Sequence, residues 1–291
     1  MLAPICLFTY NRPDETRKTI EALQLNKLAQ QSELYVFSDG PKREKDEAKV
    51  QETRSILKTI SGFKRVEYVE ALENKGLANS IIDGVSRVLE KYGKVIVLED
   101  DLITSSNFLD FMNQALDYYY QQKRIFSISG YSMNLKSLKN YNRDFYLGYR
   151  ASSWGWATWV DRWDTIDWKV KDYNKFKWNL LQQIRFMRGG SDMPAMLKKQ
   201  MTGKIDSWAI RWCYHQFKND QFTVFPSISK VNNIGFNVEA THTFKSRRFI
   251  TPLDSGERTG FEFEYKPVVS DRLINEFRNK FSILNRLYDK F

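Results

Sequence analysis

Three carboxylates in a row, Glu99, Asp100 and Asp101, follow directly on the apolar run Val95–Leu98. Carboxylates at the end of a buried strand are costly unless positive charge meets them. A bound divalent cation is one solution. Hard oxygen ligands suit Mg²⁺ or Mn²⁺, and a metal held in this way can stabilise a diphosphate as a leaving group. The other solution is an exposed acidic turn capping the next helix, with Asp101 near its start. Spacing alone weighs the two equally. Arg12 and Asp39 also follow short apolar runs: Arg12 could reach a phosphate, and Asp39 could accept hydrogen bonds from a base or ribose. Taken singly, each reads more simply as a turn residue. The chain has 2 His, and Cys6 and Cys213 are its only cysteines. They lie far apart among apolar residues and read as buried free thiols, so no Cys/His zinc set exists. Any metal therefore needs carboxylate ligands.

These residues need elements to hold them. Residues 4–9, 34–37, 66–69 and 95–98 read as strands, with helices over 16–28, 44–60 and 76–92 between them. Continuous apolar strands separated by helices indicate a parallel sheet covered on both faces, doubly wound, with ligands at the carboxyl ends of the strands. The polar clusters fall at those ends. A helix over 108–122 and a strand over 125–129 follow. Residues 141–168 then crowd together Tyr and Trp with no clear element. Residues 174–201 read as helical but broken at Gly189-Gly190, and 205–217 as an aromatic helix. Residues 223–226 and 230–236 read as short strands or loops, and 271–291 as a final amphipathic helix. The fold class is α/β, Rossmann-like, with expected spans of 1–130, 131–245 and, as a basic extension, 246–291.

The order of Tyr10-Asn11-Arg12-Pro13, Ser38-Asp39-Gly40, Asn74–Asn79 and Leu98–Asp101 resembles that of GT-A-fold glycosyltransferases, with Glu-Asp-Asp as a variant of their Asp-X-Asp signature. It is similar to the N-acetylglucosaminyltransferase I family, which is inverting and Mn²⁺-dependent. Trp154–Trp159, Asn233–Phe236 and Thr241-His242 are similar to segments of uncharacterised bacterial sugar transferases. The resemblance spans roughly residues 4–243, and implies donor binding for 1–130 and the acceptor side with catalysis for 131–245. It implies that Asp101 is the direct ligand of Mn²⁺ or Mg²⁺, that Asp100 lies at the ribose and that Glu99 lies near the donor sugar. It further implies that Thr9 and Arg12 lie on the donor side, Arg12 at the diphosphate, and that Asp39 meets the base. Asp206 takes the place of the catalytic aspartate; the family has two acidic residues before the tryptophan, and this chain has Asp206-Ser207. The segment 237–243 matches a loop closing over the donor, with Thr241 and His242 as candidate phosphate contacts.

That inventory suits an inverting transfer. One carboxylate acts as general base for an acceptor hydroxyl, and charge on the departing nucleoside diphosphate is neutralised opposite it. The implied partners are a nucleotide sugar, UDP-linked, and a glycan or lipid-linked glycan acceptor in bacterial surface polysaccharide assembly. Two rivals stand beside this: a nucleotidyltransferase of the same fold, and a non-catalytic carbohydrate- or membrane-binding protein. The first would need a glycine-rich basic loop after the first strand, which Tyr10–Asp14 is not.

The 291 residues carry 45 Lys and Arg against 35 Asp and Glu, a formal net charge of +10. No nucleic-acid-binding signature accompanies it, and no apolar stretch reaches the roughly 20 residues of a spanning helix. The short apolar N-terminus lacks the basic region of a signal peptide, so a cytoplasmic location is expected, with peripheral contact at an anionic membrane as an added alternative. The excess charge is assigned chiefly to residues 244–291. Each Trp of 154–168 reads first as core, but Trp154-Gly155-Trp156 is read as a wall of the acceptor site, glycine permitting close approach to a ligand. His215 is expected to be structural. The tail, with Leu273, Phe277, Phe281, Leu284 and Tyr288 at helical spacing, is expected to dock its apolar stripe on the body, the membrane being the alternative.

Overall fold

The computed structural model describes residues 1–235, 247–282 and 285–286. The first hundred residues alternate as expected: β1 (Ile5–Thr9), α1 (Pro13–Gln24), β2 (Glu33–Ser38), α2 (Glu47–Leu57), β3 (Arg65–Glu70), α3 (Leu77–Tyr92) and β4 (Lys94–Glu99). Next come β5 (Leu102–Thr104), α4 (Phe108–Tyr119), β6 (Ile125–Ser129), β7 (Phe145–Gly148) and β8 (Trp156–Trp159). The helices α5 (Val160–Trp163), α6 (Tyr173–Phe176), α7 (Leu180–Phe186), α8 (Met193–Met201) and α9 (Trp208–Lys218) precede β9 (Phe222–Pro226), β10 (Val231–Asn233) and α10 (Asp271–Lys280).

Eight strands form one sheet in the order β3-β2-β1-β4-β8-β6-β9-β7. β3, β2, β1 and β4 run parallel; β8 is antiparallel to β4 and β6, and β7 to β9. The sheet grows outward from β1 in both directions, so a crevice opens where the chain order reverses, beyond the carboxyl ends of β1 and β4. β1 is buried along its whole length. Its Leu7 belongs to one core cluster and its Phe8 to the other, which fits a strand covered on both faces. β4 comes from the first expected span and β8 from the second, so one sheet serves both.

Two strands were not legible where they lie. β7 and β8 sit inside the aromatic belt, and all eight of their residues are buried. Burial on both faces removes the alternation that marks a strand. The pair β5 and β10, three residues each, is antiparallel and lies outside the main sheet. It brings Asn233 opposite Leu102, next to Asp101.

The described part of the C-terminal segment is bound to the body. Lys230 Nζ lies 2.5 Å from Asp254, and Arg258 grips Asp144 at 2.8 and 2.9 Å. Phe261 and Phe263 pack on Phe111. In α10, Leu273 and Phe277 are buried, Phe277 against Phe225, and Phe281 is buried just after it. The described tail is therefore docked, not held out to a membrane; Leu284 and Tyr288 lie outside the described residues. Cys6 and Cys213 are both free and buried.

Candidate active site

Asp100 and Asp101 leave β4 into the crevice and are 7% and 9% exposed. The Tyr10 backbone N–H donates to Asp100 at 3.1 Å, and Thr19 binds the Asp100 carbonyl at 2.9 Å while accepting from the Leu102 N–H. Helix α1 thus clamps the turn. Arg12, which directly precedes α1, donates to Asp101 Oδ2 at 2.8 Å and lies 3.9 Å from Asp100. Expected at the diphosphate, Arg12 here serves first as the internal counter-charge of Asp101. A Cβ on Gly235 would sit 2.1 Å from Asp101 Oδ2 and 3.0 Å from Arg12 Nη1, so the turn after β10 closes on this ion pair and has room only for glycine. Asn233 also hydrogen-bonds Asp101. Sequence reasoning noticed the Asn233–Phe236 segment but gave it no role.

Asp101 Oδ1 is buried and has no hydrogen-bond partner among the described residues. A buried carboxylate oxygen without a partner is costly, and a hard cation removes that cost. Among the described residues no three His, Cys, Asp or Glu side chains converge into a metal cage. The residues therefore fit a cation held by Asp101 on the protein side, with remaining positions left to ligand and water oxygens. Burial, with the neighbouring carboxylates, raises Glu99 well above the ordinary carboxylate range. Burial also lifts Asp101, against the pull of Arg12. Asp100 is pushed up to about 7, first by burial and then by the charge of Asp101.

That shift predicts a pH dependence. The folded pKa of Asp100 lies above its ordinary value of 3.8. The folded protein therefore holds this proton more tightly than the unfolded chain. Its contribution is complete below about pH 4 and is lost as the pH rises through about 7, a loss on the order of a few kcal/mol. Without divalent ions, Asp100→Asn should melt well above the parent protein at pH 8 and level with it at pH 4.5. Equal melting at both pH values would contradict the shift.

Thr9, at the end of β1, turns its hydroxyl 3.4 Å from the Phe37 carbonyl and is buried. Asp39, at the end of β2, accepts from the N–H groups of Gly40 and Lys75 on one oxygen and from Asn74 Nδ2 and the Gly76 N–H on the other, all within 3.1 Å. Four bonds saturate a carboxylate. Asp39 is therefore not free to read a base, as expected of it; it fixes the 74–76 turn that leads into α3. That turn and the ends of β2 and β3 border a cavity of about 110 Å³ lined by Ser38, Val69, Lys75 and Ser80 among others.

Asp206 lies just before α9, its side chain 64% exposed and 3.5 Å from Arg211. The next residue, Ser207, caps α9 by accepting from the Ile210 N–H. Ser207 also lines a second cavity of about 290 Å³, with Tyr131, Ser152, Trp154, Ile210 and Phe249. Trp154 stands in its wall, edge-on to Tyr131 at 4.6 Å. Trp156, expected beside it, is 0% exposed and packs against Trp163, Trp208 and Trp212. It is core, because β8 is an interior strand. Gly155, at φ +58°, is required by close packing on Val231 and Phe108, not by a ligand. His215 contacts Thr165 and Asn219 and stacks near Phe126, a structural role as expected. Thr241 and His242, with the loop 237–243, lie outside the described residues.

No curated protein matches the sequence. Solved structures similar to the chain include the mannosyltransferase PcManGT from Pyrobaculum calidifontis in complex with GDP-Man and Mn²⁺, at 10% identity over 55% of this chain and 46% of that one, TM-score 0.39. Others are S. aureus TarS 1–349, at 10% identity over 60% and 49%, TM-score 0.38, and apo mouse xyloside xylosyltransferase 1, at 9% over 77% and 84%, TM-score 0.39. The chain spans less than half the length of the first two. A protein-family model, Glycosyl transferase family 2, matches residues 5–194.

Proposed function

The chain belongs to glycosyl transferase family 2, and from that premise we propose that it is an inverting, metal-dependent transferase moving a sugar from a nucleotide donor, UDP-linked, to a hydroxyl of a glycan or lipid-linked glycan. The observation that carries the reading is Asp101 Oδ1, a buried carboxylate oxygen without a partner among the described residues, at the point where the strand order reverses. The narrower likeness to the N-acetylglucosaminyltransferase I family, and a role in bacterial surface polysaccharide assembly, rest on motif order alone.

In this reading Asp101 holds Mn²⁺ or Mg²⁺, which when bound supplies a Lewis-acid contact to diphosphate oxygens. Arg12, half-exposed on the crevice side, presents its guanidinium to the same diphosphate. The nucleoside lies over the ends of β2 and β3, where Asp39 has already set the 74–76 turn. The acceptor enters the aromatic cavity beside Ser207, with its hydroxyl towards Asp206. Asp206 takes the hydroxyl proton as the oxygen bonds to the anomeric carbon; the bond to the diphosphate breaks, and the electron pair leaves with it. Attack opposite the leaving group inverts the centre, so one carboxylate suffices. An aromatic wall excludes water that would otherwise compete.

A thermal-shift screen of nucleotide sugars with and without Mn²⁺ tests the donor class and the metal need together. UDP-sugars should raise the melting temperature by several degrees only when Mn²⁺ is present. No shift with any nucleotide would overturn the proposal.

A further inference from the structure

The short helix α7 carries apolar residues on opposite sides, and among the described residues only one side has a partner. Phe186 is buried against Tyr214 and Phe217 of α9, where Phe176 of α6 also packs. On the other side Leu180, Leu181 and Ile184 are 73%, 74% and 62% exposed, and Trp178, just before the helix, is 81% exposed. Helical spacing puts the three aliphatic residues within one arc of about 100°. Singly exposed apolar residues are ordinary; four together on a firmly anchored turn are not. Asn179 caps the helix from the Gln182 N–H at 3.0 Å, so the patch is held in place.

The charge around it is equally one-sided. Residues 169–204 contain nine lysines and arginines against two aspartates, whereas residues 244–291 contain ten against seven. The excess expected in the tail is therefore concentrated here. Lys169, Lys171, Lys175, Lys177 and Arg185 are all exposed, and Lys177 Nζ lies 5.4 Å from the Trp178 ring centre. Among the described residues no helix is long and apolar enough to cross a membrane. Basic residues flanking a Trp and aliphatic residues on a short surface helix suit the interface of an anionic bilayer. The rings and aliphatic chains enter the headgroup boundary, and the cations meet lipid phosphates.

We propose that α6, α7 and the turn between them dock the protein on an anionic membrane surface, with Trp178, Leu180, Leu181 and Ile184 inserting and the surrounding lysines and Arg185 holding the headgroups. The tail helix, docked by Phe277 and Phe281, is not the docking element.

The test is co-sedimentation of the full chain with vesicles of phosphatidylglycerol and phosphatidylcholine, and with vesicles of phosphatidylcholine alone. The parent protein should partition onto the anionic vesicles and be released by salt. Leu181→Glu/Ile184→Glu should weaken that partitioning at least about tenfold, and Lys175→Glu/Lys177→Glu should remove most of the preference for anionic lipid. Because all four side chains are exposed, both variants should melt with the parent, which separates lost docking from lost folding. A parent protein that stays in the supernatant, or variants that bind as well as it does, would overturn the proposal. So would a dimer in sedimentation velocity that Leu181→Glu/Ile184→Glu dissociates, without vesicle binding, since the patch would then cover a second copy. The readout needs neither donor nor turnover, so it stands or falls apart from the transfer reaction.

Discussion

Asp101→Ala should abolish cation-dependent donor binding and lower kcat/KM by about a thousandfold or more, the loss typical of removing the main electrostatic support of a leaving group. The argument is local. Among the described residues, Asp101 is the one member of the triplet with a buried oxygen lacking a partner, and β10 and Gly235 close tightly around its other oxygen. Misfolding is not the expected cause of the loss. Removing one of three crowded, buried carboxylates relieves repulsion, and the Arg12 side chain left behind is 41% exposed and can reach water. The variant should therefore melt at or above the parent without divalent ions, while losing the upward shift that Mn²⁺ and UDP produce together. A variant that keeps that shift would remove Asp101 from the site.

Asp206→Asn should lower kcat by about 10²–10⁴-fold, the usual contribution of a positioned general base, with donor binding unchanged. Asparagine keeps the shape of the side chain and the approach to α9 but cannot accept the acceptor proton. Its surroundings do not depend on the charge for folding: the group is exposed, Arg211 is its one close cation among the described residues, and Ser207 caps the helix independently. The diagnostic pattern is a lowered kcat with an unchanged Mn²⁺-dependent melting shift. Full turnover would show that another group takes the proton.

The first hundred residues were legible because their strands β1, β2 and β4 are apolar runs ended by polar clusters, and burial on both faces of a parallel sheet produces such runs. The same burial hides β7 and β8, since tryptophan and tyrosine in a buried strand look like tryptophan and tyrosine in a binding wall. Trp156 and Gly155, expected in such a wall, are core, whereas Trp154, two residues before β8, does face a cavity. Asp39 is expected at the base, with a turn aspartate as the simpler reading; the turn role is the one the contacts show, and spacing does not reveal that the 74–76 turn returns to occupy both its oxygens. Asn233 and Gly235 lay in a noticed segment, yet their contact with Asp101 depends on a three-residue strand pair too short to carry a pattern. The tail is expected to dock its apolar stripe on the body, and the described part of that stripe, Leu273, Phe277 and Phe281, is covered; the exposure of Leu180, Leu181 and Ile184 on α7 has no periodic signal long enough to read from sequence.

The Arg12–Asp101 pair has a thermodynamic consequence for binding order. On the proposed reading, in which Asp101 holds the cation, an Arg12 that neutralises Asp101 cancels part of its affinity for any cation, so the resting site would discriminate against stray ions. A diphosphate that draws Arg12 towards itself exposes Asp101, and the pair then binds cation more tightly. Linkage makes the effect mutual: whatever factor the donor adds to cation affinity, the cation adds to donor affinity. Arg12→Ala should therefore bind Mn²⁺ alone more tightly than the parent does while losing the synergy between metal and nucleotide, a change of sign that a residue serving only as a phosphate contact would not produce.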